Sequence, residues 1–135
     1  MKLLSGVAVL TLLTMPVFAE GDTAKGENIF KRCKACHSII TPDGTALQKG
    51  GKTGPNLFGI IGRVVGSDPD FKYGDAMQAV AAKSLVWDEA AVAAYVTDPT
   101  AWLKEQSGDE KAVAKMTFKL PKGGDDIAAY LASNK

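Results

Sequence analysis

Residues 32–38 read R-C-K-A-C-H-S, and they hold both cysteines of the chain, Cys33 and Cys36, and its single histidine, His37. C-x-x-C-H is the attachment signature of c-type haem. The spacing has a geometric reason. On a helical turn, positions i and i+3 share a face, so the Cys33 and Cys36 sulfurs can meet the two vinyl groups of one porphyrin as thioethers. His37 follows directly and can turn its imidazole under the iron. A disulfide, a thioredoxin-type redox pair and a zinc site compete for the same residues. The redox pair wants an α/β context, and zinc wants more Cys and His than this chain owns. One histidine also excludes bis-histidine ligation within the chain and a second haem of this kind.

Outward from the motif, the chain is 135 residues long, with 46% hydrophobic and 23% charged residues, which suits one globular domain. Its start is different in kind. Met1 and Lys2 precede a mostly apolar run from Leu3 to Leu13, Pro16 breaks the run, and Val17, Phe18 and Ala19 supply a small-residue cleavage site. This predicts a signal peptide over 1–19, a mature domain over 20–135 and export to the periplasm. The run is shorter than the roughly 20 residues that span a bilayer, so no stable membrane insertion is expected. Without Lys2 the mature chain carries 15 basic and 15 acidic side chains, and nothing in its charge points to nucleic acid.

The secondary-structure expectation is all-α: about five helices and long loops. Asp22 and Thr23 can cap a helix running through A-K-G-E-N-I-F-K-R-C-K-A-C-H. Further helices are expected over 74–83, 88–97, P-T-A-W-L-K-E-Q after Pro99, and 125–133. Residues 41–56 and 107–124 read as loop, and G-I-I-G-R-V-V-G as a tight irregular segment. Two mature methionines, Met77 and Met116, can compete for the iron's sixth position. Met77 sits within the 74–83 helix among alanines, where methionine is usually core filler. Met116 lies in a wrapping segment that can bring it across from His37, and is favoured.

With A-K-G-E-N-I-F-K-R-C-K-A-C-H, G-P-N-L-F-G-I-I-G-R, F-K-Y-G-D-A, the stretch from Trp87 to Tyr95, K-M-T-F-K and D-D-I-A-A-Y-L-A in this order, the chain resembles the class I cytochromes c, most closely the large bacterial cytochromes c2. The resemblance implies the cytochrome c fold around one haem c and His37/Met116 axial ligation, a ligand pair general to cytochromes c. It implies that the Pro55 carbonyl orients His37, that Arg63, Tyr73 and Trp87 donate to the haem propionates, that the Tyr95 hydroxyl approaches the methionine sulfur, and that Phe118 shields the haem edge. Gly26, Phe30, Ile127 and Tyr130 correspond to the crossing of first and last helices. Segments 38–54 and 103–115 are longer than in the mitochondrial relatives, and Met77 stands where those carry an asparagine near the propionates.

The implied function is a soluble, monomeric one-electron carrier, not an enzyme, that moves electrons between a cytochrome bc1 complex and a photosynthetic reaction centre or terminal oxidase. Basic residues flank both ligands without acids between them: Lys31, Arg32 and Lys34 on one side, Lys111, Lys115, Lys119 and Lys122 on the other. Such a face steers docking onto acidic partners.

Overall fold

The computed structural model describes residues 20–135, so the expected signal peptide over 1–19 lies outside the described residues. Five helices carry the architecture: α1 (Thr23–Cys33), α2 (Asp75–Ala81), α3 (Glu89–Thr97), α4 (Pro99–Ser107) and α5 (Gly124–Ala132). The Asp22 carboxylate accepts from the Lys25 N–H, Asp88 from Ala91 and Asp98 from Ala101, so three helices have a side-chain N-cap. Asp98 ends α3 and caps α4 at once, with Pro99 in the first turn of the new helix.

The helix expected to run through the haem-binding motif is shorter than anticipated. It ends at Cys33, and the Cys33 carbonyl then accepts from both the Cys36 N–H (3.1 Å) and the His37 N–H (2.9 Å). A tight turn, not a continued helix, therefore fixes the cysteine and histidine spacing. Residues 41–56 are mostly loop as expected, but they include part of a small antiparallel hairpin, β1 (Ile39–Ile40) with β2 (Ala46–Gln48). Thr41 and Asp43 side chains bond the backbone of Thr45 and close its turn. The G-I-I-G-R-V-V-G stretch is turns, with one isolated bridge, Val64 to Val86.

α1 and α5 cross at Gly26, where a Cβ would lie 2.6 Å from the Tyr130 Cβ and against the Asp126 carbonyl. Only glycine lets the two backbones come so close. Phe30 is fully buried there, its ring 5.7 Å from that of Tyr130, and Ile127 and Leu131 extend the contact. The Asp22 N–H donates to Asp126 (2.7 Å), and Gln48 donates to the Tyr130 hydroxyl (2.9 Å), tying the hairpin to α5. Among the described residues no helix is long and apolar enough to cross a membrane.

Candidate functional site

Between these elements lies a cavity of about 290 Å3. Leu57, Ile60, Val92, Leu103, Ile127 and Leu131 give it apolar walls. Nine of the ten residues singled out from sequence line it: Cys33, Cys36, His37, Pro55, Tyr73, Trp87, Tyr95, Met116 and Phe118. Arg63 does not. Its guanidinium donates to the Asn56 carbonyl (2.7 Å) and stands 3.9 Å from the Asp68 carboxylate.

His37 Nδ1 lies 2.8 Å from the Pro55 carbonyl oxygen. A carbonyl only accepts, so Nδ1 carries the proton and Nε2 keeps its lone pair. Burial lowers the imidazole pKa, with the Pro55 bond opposing, so the ring is held neutral. A neutral, oriented imidazole with a free nitrogen is the metal-ligating form. Gly54 shapes the same spot: a Cβ there would sit 2.7 Å from His37 Nδ1 and 2.8 Å from Nε2. Pro55 in turn is fixed through Asn56, whose Oδ1 accepts from the Ile40 N–H (2.9 Å) and whose Nδ2 donates to the Ile40 carbonyl (2.8 Å).

Burial pushes the Cys33 thiol up to about 11, against the lowering effect of Arg32. Its sulfur is thus an uncharged group in an apolar wall, which suits a thioether and not a metal thiolate. Among the described residues no group of three or more His, Cys, Asp or Glu could hold a metal ion. One oriented imidazole, the buried neutral Cys33 thiol with Cys36 beside it, and apolar walls fit an iron held within a macrocycle.

Met116 sits on an extended strap that alternates buried Ala112, Ala114 and Leu120 with exposed Val113, Lys115 and Lys119. The strap is anchored on both sides of the methionine. The Ala114 N–H donates to the Thr100 hydroxyl (3.1 Å), and the Leu120 N–H donates to the Val96 carbonyl (2.7 Å). Lys115 donates to the Lys72 carbonyl (3.0 Å), its stem lying along Gly74. Arg32 of α1 stands 5.0 Å over the Phe118 ring, joining the cysteine-bearing helix to the strap by a cation–π contact. Met77, on α2, also lines the cavity, so lining alone does not choose between the two methionines.

Tyr95 and Trp87 are held by a residue of α4 that no sequence motif marks. Trp102 stacks on Trp87 (5.0 Å) and meets Tyr95 edge-on (5.4 Å), while Trp87 meets Tyr95 edge-on (5.2 Å). Burial, with Tyr73 adding to it, pushes the Tyr95 hydroxyl up to about 12, so it stays a neutral phenol. Phe71, also unforeseen, packs edge-on against Tyr73 (4.9 Å) in the cavity wall. The available signal for Trp102 was that the chain has only two tryptophans, one of them already assigned to the site.

The basic face is thinner than its sequence suggests. Lys119 pairs with Asp98 at 2.7 Å, and among the described residues it is the one member of the set in an ion pair. Lys115 borders the cavity, whereas Lys122 borders a separate groove between α3 and α5.

No protein-family model matches the chain. Individual proteins do. Cytochrome c2 of Rhodobacter capsulatus is 53% identical over 132 residues, covering 98% of this chain and 96% of the relative. Cytochrome c-550 of Paracoccus pantotrophus is 56% identical over 117 residues, covering 85% and 87%. The structure of cytochrome c2 from Rhodobacter capsulatus superposes with a TM-score of 0.82 at 57% identity, covering 84% of this chain and 97% of that one. Ferric cytochrome c-550 from Paracoccus versutus gives 0.83 at 55% identity, covering 85% and 98%. Sequence, fold and the cysteine–histidine turn agree: the chain belongs to the class I c-type cytochromes, in the cytochrome c2 and c-550 group, electron-transport proteins with one covalently attached haem c.

Proposed function

We propose that residues 20–135 form a single-domain, exported periplasmic one-electron carrier, released from a signal peptide over 1–19. In this reading Cys33 and Cys36 would supply the thioether sulfurs, and His37 Nε2 and Met116 Sδ would hold the iron. Haem c, when bound, supplies a one-electron iron couple. The protein's part is to choose the ligands, exclude water and hold the geometry still. A soft thioether favours the reduced metal over a second imidazole. Apolar walls disfavour the extra charge of the oxidised form. Pro55 holds the His37 ring, and the doubly anchored strap holds Met116. Trp87 and Tyr73 reach the cavity as candidate propionate donors, with Arg63 behind them. Tyr95 is the candidate partner of the methionine sulfur, and Phe118 the cover of the haem edge. With His37 and Met116 both ligating the iron, no open position would remain there for a substrate, which would suit a carrier and not a peroxidase-like enzyme.

Its partners in this reading are a cytochrome bc1 complex as donor and a photosynthetic reaction centre or terminal oxidase as acceptor, met by the monomer through the basic face of Lys31, Arg32, Lys34, Lys115, Lys119 and Lys122. The observation that carries the proposal is the meeting, in one apolar cavity, of a pinned neutral His37 and a strap-borne Met116. The test is the mature protein's mass together with its ferric spectrum. One covalent haem and a low-spin spectrum indifferent to added cyanide on mixing are expected; a haem-free mass, or immediate cyanide binding at neutral pH, would contradict it.

A further inference from the structure

Arg63 and Asp68 form an ion pair largely withdrawn from water: Nη1 and Oδ2 are 3.9 Å apart, with side chains 24% and 11% exposed. Neither is a loose surface group. Arg63 Nη2 donates to the Asn56 carbonyl, one peptide along from the Pro55 carbonyl that holds His37. Asp68 Oδ1 accepts from the Asp70 N–H (3.0 Å), which fixes the carboxylate in a local turn. Tyr73, in the cavity wall, feels both members: burial raises its phenol pKa most, while among the charges Arg63 lowers it and Asp68 raises it.

The position of this pair has an electrostatic consequence. Adding an electron to the cavity is favoured by a nearby cation and opposed by a nearby anion. Charges so poorly exposed are weakly screened by salt. Without Asp68, the charge of Arg63 at the cavity would be offset only by the haem's own propionates. With Asp68 beside it, the two fields largely cancel there.

We propose that Asp68 is a positioning residue that sets the redox balance of this protein, compensating Arg63 and holding its guanidinium on the Asn56 carbonyl. The inference rests on the reading that the cavity holds haem. It assigns Asp68 the role of lowering the ferrous-to-ferric ratio below what an uncompensated Arg63 would give.

The experiment is spectroelectrochemical titration of the holoprotein and of its Asp68→Asn, Asp68→Glu, Arg63→Gln and double Asp68→Asn/Arg63→Gln variants, at low and high salt. Asparagine keeps the oxygen that closes the turn and removes only the charge. At a fixed ambient potential, Asp68→Asn should raise the ferrous-to-ferric ratio roughly two- to fivefold, the range for a unit charge acting through a partly hydrated medium. Its optical spectrum should not change. Asp68→Glu should stay near the parent, Arg63→Gln should shift the ratio down, and the double variant should return toward the parent. The Asp68→Asn shift should survive high salt. An Asp68→Asn protein with the parent's spectrum and the parent's ratio would overturn the assignment and leave Asp68 a turn former. A parent protein without covalent haem or without a one-electron wave would overturn the functional reading and this inference with it.

Discussion

Gly54→Ala puts the geometry of the histidine site to a quantitative test. The new Cβ would lie 2.7 Å from His37 Nδ1 and 2.8 Å from Nε2, and ordinary van der Waals contact begins only near 3.4 Å. The ring and the 53–55 loop must therefore part by several tenths of an ångström. The obstacle is a ring held by the Pro55 carbonyl at 2.8 Å, not the free end of a flexible chain. Overpacking of this kind costs about 1–3 kcal/mol. Stretching the histidine bond out of range adds about 1 kcal/mol. The lower entropy of an unfolded alanine chain offsets about 0.4–1 kcal/mol of this. The net loss is about 2 kcal/mol, a large share of the roughly 5–15 kcal/mol that such domains possess. Guanidinium unfolding of the holoprotein, followed by far-UV circular dichroism, measures it, and proton NMR of the His37 Nδ1–H reports the local shift. Gly44→Ala is the control. Nothing lies within 4 Å of its Cβ, but its φ of 87° is left-handed, so it should cost about 1–2 kcal/mol and leave the histidine resonance in place. A Gly54→Ala protein with the parent's unfolding midpoint and an unmoved His37 resonance would refute the reasoning.

Other consequences are as concrete. Gly26→Ala should lose about 1–3 kcal/mol in the same unfolding assay although alanine is the better helix former by ~1 kcal/mol, because the obstacles are the Tyr130 Cβ and the Asp126 backbone. Asp98, its carboxyl held below the usual range first by the Lys119 side chain and then by the Ala101 N–H, contributes stability above the unfolded carboxylate pKa near ~3.9 and loses it as pH falls through the lower folded value. Asp98→Asn keeps a capping oxygen, so its deficit against the parent should be constant from about pH 5 to 7 and shrink below about pH 4; a deficit that grows on acidification would reverse the sign. Neutralising Lys115 alone should flatten the salt dependence of reduction by an acidic partner more than neutralising Lys119 alone, whose charge Asp98 already balances; equal effects would remove that distinction.

Much of the fold was legible because its signals are local. Asp88 at the head of an apolar run and Pro99 between two runs mark helix boundaries by local chemistry. C-x-x-C-H names its cofactor through spacing, and Gly26 marks a close helix crossing. Three features were not legible, each for a physical reason. The end of α1 at Cys33 depends on where one carbonyl finds two N–H groups, which propensity does not encode. The Ile39–Gln48 hairpin is too short for a period-2 pattern to show. The third group depends on distant pairs: Trp102 matters because it stacks on Trp87, Asn56 because it clasps Ile40 across the loop, and Lys119 is neutralised by an acid 21 residues away. A sequence read segment by segment shows the residues and hides those pairings.

The central claim is that His37 and Met116 together occupy the axial positions of one iron, and the weak sulfur-to-iron absorption band at the red edge of the ferric spectrum tests it most directly. The band should be present in the parent, persist in Met77→Ala and vanish in Met116→Ala, whose iron should then bind imidazole freely. A parent without the band, or a band lost in Met77→Ala and kept in Met116→Ala, would contradict the account.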